Sequence, residues 1–168
     1  DPQLLGGAVS MKAGMTLDEI AEERLFGPLG ITDYYWERNA DDDNWASQAL
    51  YMRPRDLAKI GKLVLNKGNW EGEQLISEDW IEQATSIQTL QYPGQPEDST
   101  DPFYGFYWWI YPHLGAFTAL GAGGQFIFIV PDKSLVIVMT SEPYVLDELS
   151  LESDFFDLVP MIINSIID

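Results

Sequence analysis

Gly121-Ala122-Gly123-Gly124-Gln125 runs directly into Phe126-Ile127-Phe128-Ile129-Val130, and after Pro131-Asp132-Lys133-Ser134 a second apolar run follows, Leu135-Val136-Ile137-Val138-Met139. Both runs are apolar at every position, not at alternate ones. A strand of that kind is covered on both faces, and helices are the obvious cover. The glycine-rich approach lets backbone come close to another group. The whole stretch reads as two paired strands in a rigid sheet, with the rim of a binding site at one end.

Working outward, Phe103 to Tyr111 is rich in aromatics, carries one glycine and no helix cap, and reads as strand. Gly115 to Ala119 is a further strand, and Leu158 to Ile167 supplies a C-terminal helix. The residues before 103 have helical texture. Gln3 to Gly14 reads as a helix stopped by Gly14. Thr16-Leu17-Asp18-Glu19 is a capping box, followed by Leu17, Ile20, Ala21 and Leu25 on one face. Gly27-Pro28-Leu29-Gly30 ends that helix, and 31–50 reads as a polar, aromatic loop. Pro54 opens a helix with the stripe Leu57, Ile60, Gly61 and Val64. Gly68 to Gly72 is a turn, Ser77 caps a helix whose first turn holds Glu78 and Asp79, and 89–102 reads as an exposed loop. Helices first, then an antiparallel sheet, then a helix make an α+β chain. The expected organisation is one domain fragment over 1–168, mainly helical over 1–102, with strands and a C-terminal helix over 103–168.

The net charge is −18, from 27 acidic and 9 basic residues. That balance argues against nucleic acid, whose phosphates require Lys and Arg, and against an anionic membrane surface. The longest apolar runs are too short to span a bilayer. With no cysteine, disulfides, thiolate catalysis and Cys-based metal sites are excluded. The sequence begins Asp1-Pro2 with no secretory leader, and reads as a processed product or a piece of a longer chain.

The chemistry-bearing residues are few. No serine stands in Ser-x-x-Lys or in a Gly-x-Ser-x-Gly elbow, so the chain shows no obvious nucleophile. His113, the sole histidine, lies in a hairpin-like turn and reads as a solvated loop residue. Asp41, Asp42 and Asp43 fail the EF-hand pattern, and the expected metal content is none. Glu142 to Asp157 reads as an acid-rich, solvated surface. Gly121 to Gly124 is neither a dinucleotide fingerprint nor a phosphate loop. Two readings remain for it: a backbone N–H aimed at a developing oxyanion, or a bulge or tight bend with no chemical role. The aromatics at 103–111, Trp108 among them, line an apolar pocket, stack on a sugar or simply belong to a core strand.

Several motifs in order carry a resemblance. Leu4-Leu5-Gly6, Ala13 to Leu17, Phe26 to Thr32, Tyr51 to Gly61, Leu65 to Gly68 and the hairpin from Gly121 to Ser141 together resemble the serine β-lactamase-like family. That family includes class C β-lactamases, D-alanyl-D-alanine peptidases, related esterases and 6-aminohexanoate-dimer hydrolases. The Gly-x-Gly-Gly-Gln form resembles the esterase and amide-hydrolase side. The resemblance implies a β-lactamase/transpeptidase-like fold, an antiparallel sheet flanked by helices, of which this chain is the C-terminal half. It also implies acyl transfer through a Ser-x-x-Lys serine assisted by Tyr-x-Asn or Tyr-x-Ser. Both motifs normally precede the Leu4-Leu5-Gly6 helix, and none of the eight tyrosines here is followed by x-Asn or x-Ser. No Lys-Thr-Gly is present; His113-Leu114-Gly115 matches His-x-Gly by letters, but spacing to Val130-Pro131 favours Ala119 to Gly123.

The resemblance therefore implies that the Ala122 N–H is an oxyanion donor, flanked by Gly121 and Gly123, with Gly124, Gln125 and Trp108 in the substrate pocket. The implied protein hydrolyses an ester, amide or β-lactam of small-molecule or peptide-like form, uses no cofactor, and is periplasmic or secreted from a bacterium. The isolated chain is expected to be inactive, and to pair with a missing N-terminal half or self-associate through an exposed apolar sheet edge. The competing expectation is a non-catalytic relative that binds a peptide or glycan.

Overall fold

The computed structural model describes residues 1–141 and 148–166, with side chains described over 1–141 and 157–166. The chain divides into two compact units, Asp1–Lys59 and Ile60–Asp168.

In the first unit, helix α1 (Pro2–Ala13) is capped by Asp1, whose carboxylate accepts from the Gln3 and Leu4 N–H groups. It is closed by Gly14 in the left-handed conformation (φ 67°), the expected stop. Gly6 faces Ala46 so closely that a Cβ there would lie 2.3 Å from the Ala46 Cβ. Gln3 binds the same loop, donating to the Asn44 carbonyl and accepting from the Ala46 N–H. Helix α2 (Leu17–Ala21) follows, with the Thr16 N–H donating to the Glu19 carboxylate at 2.9 Å.

The chain then widens into a π turn over Glu22–Phe26, a feature the apolar spacing did not announce. Its closing bond runs from the Gly27 N–H to the Glu22 carbonyl, where a Cβ on residue 27 would sit 2.7 Å from that oxygen. Segment 31–50, expected as a loop, carries short strands at its ends: β1 (Tyr34–Trp36) pairs antiparallel with β2 (Leu50–Met52). Three residues each are too few for a periodic signal, and the Asp41 to Asn44 tract between them reads as loop. Helix α3 (Pro54–Leu65) begins here and continues into the second unit.

The second unit contains a small hairpin, β3 (Asn69–Trp70) with β4 (Glu73–Gln74), and helix α4 (Glu78–Ala84), whose cap Ser77 accepts from the Trp80 N–H. A five-stranded antiparallel meander follows: β5 (Phe103–Tyr104), β6 (Trp109–Tyr111), β7 (Ala116–Gly121), β8 (Gln125–Val130) and β9 (Leu135–Met139), in that spatial order. The single strand expected over 103–111 is a hairpin instead. Its bend is set where Gly105 packs onto the end of α4 and its N–H donates to the Trp108 carbonyl at 2.8 Å. Helix α5 (Glu148–Ser165) starts ten residues before the expected Leu158, because its acidic first half conceals the helix from a reading based on apolar runs. Residues 142–147 of the acid-rich segment, and Ile167, lie outside the described residues.

The expectation that β8 is covered on both faces is met. Phe126, Phe128 and Val130 form one buried cluster with Tyr111, Ala116 and Val159 of α5, and Ile163 packs against it. On the opposite face, α3 comes so close that a Cβ on Gly61 would lie 2.5 Å from Val136 and 2.9 Å from Ile127. Each such buried Phe or Ile contributes about 1.5–3 kcal/mol relative to exposure. β9 alternates in the same way but is only half-buried, and among the described residues it pairs with β8 alone. No helix is long and apolar enough to cross a membrane among the described residues.

Candidate active site

β7 and β8 pair from Phe117↔Ile129 to Gly121↔Gln125, leaving Ala122, Gly123 and Gly124 as the connecting turn. Gly123 (φ 75°) and Gly124 (φ 77°) are both left-handed, a conformation only glycine adopts without strain. Both are buried, whereas Ala122 is exposed. A Cβ at Gly121 would lie 3.3 Å from the Gln125 Cβ, so the strand pair closes tightly at its end. Among the described residues, none of the Ala122, Gly123 and Gly124 N–H groups donates to a carbonyl in a turn bond. The turn thus leaves these N–H groups without a main-chain turn partner, and of its three residues only Ala122 is exposed.

Three hydrogen bonds brace it. The Gln125 side-chain nitrogen donates to the Gly123 carbonyl at 3.2 Å and to the Ser141 carbonyl at 2.6 Å. The Ser141 hydroxyl also donates to the Gly123 carbonyl. Ser141 lies just past β9, whose Met139 pairs with Phe126, so register alone brings it beside the turn. The signal in the sequence was a polar residue at each end of an otherwise apolar hairpin.

The β5–β6 bend is at the same end of the sheet, since Trp109 pairs with Thr118 and the bend precedes it. Trp108 packs edge-on against Phe117 (5.4 Å, 90°) and Trp109 edge-on against Tyr104 (4.7 Å). Trp108 lies in the bend just before β6, whereas Trp109 packs against the cluster in which Tyr111 is buried. These rings therefore form no flat platform for a sugar. Burial, then the neighbouring Tyr107, push the Tyr104 phenol up.

His113 sits at the far end of the sheet, in the turn between β6 and β7. Six residues of β7, at about 3.4 Å each, put roughly 17–20 Å between it and the glycine turn. His113-Leu114-Gly115 is thereby separated from the rim, while Gly121 to Gln125 and Trp108 share one end of the sheet. A concavity of about 370 Å³ lies in the first unit, lined by Asp18, Glu19, Glu22, Glu23 and Tyr34. The Tyr34 hydroxyl donates to Glu22 there. Among the described residues no group of three His, Cys, Asp or Glu is arranged to hold a metal.

The helix-flanked meander with its glycine turn defines a β-lactamase/transpeptidase-like hydrolase fold. The Beta-lactamase family model matches residues 2–145, and the chain belongs to that family. A structure from Bacillus anthracis, provisionally assigned as a 6-aminohexanoate-dimer hydrolase, superposes with a TM-score of 0.80 at 27% identity, covering 99% of this chain and 43% of that one. A β-lactamase from Mycobacterium bovis superposes with a TM-score of 0.66 at 20% identity, covering 94% and 60% respectively. An uncharacterized protein of Alkalihalophilus pseudofirmus is 27% identical over 167 residues, covering 81% of this chain and 48% of its own length. The chain thus spans about half the length of this curated relative.

Proposed function

We propose that this chain supplies the oxyanion strand and structural scaffold of a serine hydrolase that works through an acyl-enzyme. The observation that carries the reading is the turn Ala122-Gly123-Gly124 at the end of β7, whose N–H groups make no main-chain turn bond and whose Ala122 is exposed. In acyl transfer, a carbonyl oxygen gains negative charge as the tetrahedral intermediate forms. A preorganised N–H near 2.9 Å stabilises that charge more than it stabilises the ground state. Ala122 provides the donor from its backbone, which is why the side chain there is free to be alanine. The nucleophile and its base belong to other residues of the full-length protein, and the substrate is an ester, amide or β-lactam. The half-buried β9 edge and the exposed Leu4, Leu5 and Met11 of α1 are the surfaces the rest of that protein covers.

The test is covalent labelling. A fluorophosphonate is expected to add to one serine of the full-length protein, at a position outside these 168 residues, as read by peptide mass spectrometry. The 168-residue chain alone is expected to take up no label and turn over no chromogenic ester. An unlabelled full-length protein that binds a peptide or glycan reversibly would overturn the reading in favour of a non-catalytic relative.

A further inference from the structure

We propose that Gln125 and Ser141 are positioning residues that clamp the Gly123 carbonyl and so fix the direction of the turn's N–H groups. The inference rests on reading that turn as the oxyanion strand, and it adds what holds the strand in place. Two consecutive left-handed glycines have wide conformational freedom. Left alone, such a turn would interconvert among several forms, and a donor that reorients is a poor oxyanion donor.

The clamp removes that freedom. A carbonyl has two lone pairs, and the Gly123 oxygen receives both the Gln125 amide and the Ser141 hydroxyl. The peptide group is planar and trans, so pinning the Gly123 C=O on the Ser141 side turns the Gly124 N–H to the opposite side. The Gly121↔Gln125 pair holds the other end of the turn, so the peptide that carries the Ala122 N–H lies between two fixed points. Because the Gln125 nitrogen is also bonded to the Ser141 carbonyl at 2.6 Å, one side chain ties together the turn, the start of β8 and the end of β9. Gln125 acts through the turn, with its amide directed at protein carbonyls.

The variants are Gln125→Met and Ser141→Ala, which remove the donors at nearly constant volume, and Ser141→Thr, which keeps the hydroxyl. They are made in the full-length protein and assayed with a p-nitrophenyl ester. Gln125→Met and Ser141→Ala are each expected to lower kcat about 10-fold with KM within about 2-fold, less than the roughly 100-fold loss of a whole oxyanion donor. Ser141→Thr is expected to restore most of kcat, and the double variant to be no worse than about the weaker single one. The independent readout is motion. Backbone order parameters at Gly123 and Gly124 are expected to fall from about 0.85 to below about 0.6 in the two disrupted variants.

A raised KM with unchanged kcat would make Gln125 a substrate contact and overturn the clamp, as would unchanged order parameters. If the wild-type protein neither turns over ester nor takes fluorophosphonate, the oxyanion reading fails. The order parameters still decide the clamp in that case.

Discussion

Replacing Gly105 by alanine tests how the β5–β6 hairpin is fastened at the site end of the sheet. A Cβ at this position would lie 2.3 Å from the Ala84 carbonyl oxygen and 2.9 Å from that of Ser86. The backbone of Gly105 is not left-handed, so alanine meets no conformational penalty, and by stiffening the unfolded chain it would stabilise by about 0.4–1 kcal/mol in open space. The obstruction is two main-chain oxygens, which cannot rotate aside as a side chain can. Forcing a methyl group into such a contact costs about 1–3 kcal/mol. Lifting the hairpin clear breaks the Phe106 N–H to Ala84 carbonyl bond of 2.9 Å, which contributes about 1 kcal/mol.

The net expectation for Gly105→Ala is a loss of about 1–3.5 kcal/mol. Urea unfolding of the full-length protein, followed by tryptophan fluorescence, measures it. Trp80 is stacked on Phe106 at 5.6 Å across this junction, so its emission also reports whether the hairpin has shifted in the native state. A variant within about 0.5 kcal/mol of wild type, with unshifted emission, would refute the argument that contact with α4 is what requires glycine at 105.

Three further outcomes are expected. Gly7→Ala, in the interior of α1 with nothing within 4 Å of the added carbon, should stabilise by about 0.5–1 kcal/mol and raise the urea midpoint. At Asp18, burial alone would raise the carboxyl, but hydrogen bonds from Thr16 and Arg38 outweigh it and hold it below its ordinary 3.8. A depressed folded value gives stability that is present above the unfolded pKa and lost as the pH falls through the folded one. The wild type should therefore weaken below pH 3.8, and Asp18→Asn should flatten that part of a circular-dichroism acid titration. The isolated 168-residue chain should self-associate through the β9 edge; a stable monomer by light scattering would count against that.

The parts of the fold that were legible in the sequence are those where packing leaves a repeating mark. Phe126 to Val130 is apolar at each position because alternate residues meet α5 and α3, and that pattern survives in one dimension. Gly14 and the Thr16 and Glu19 pair mark helix ends by local chemistry, which needs no distant partner. What escaped depends on contacts remote in sequence. Nothing around Gly105 announces that α4 presses on it, so the aromatic run looked like one strand. The π turn at Glu22–Phe26 changes a hydrogen-bond partner by one residue and leaves the apolar face intact. At the candidate site, the glycines signalled the turn, but the role of Gln125 depends on Ser141, sixteen positions later, and appears only once β8 and β9 are in register.

That brace has a consequence for anyone who would move the rim elsewhere. The turn looks like the tip of a self-contained β7–β8 hairpin, yet two of the groups that hold it, the Ser141 hydroxyl and carbonyl, arrive on the next strand. A hairpin cut out at Val130 and grafted onto another scaffold would carry its glycines and lose their shape. The smallest transferable module is three strands, and any tug on the outer one is felt at the tip.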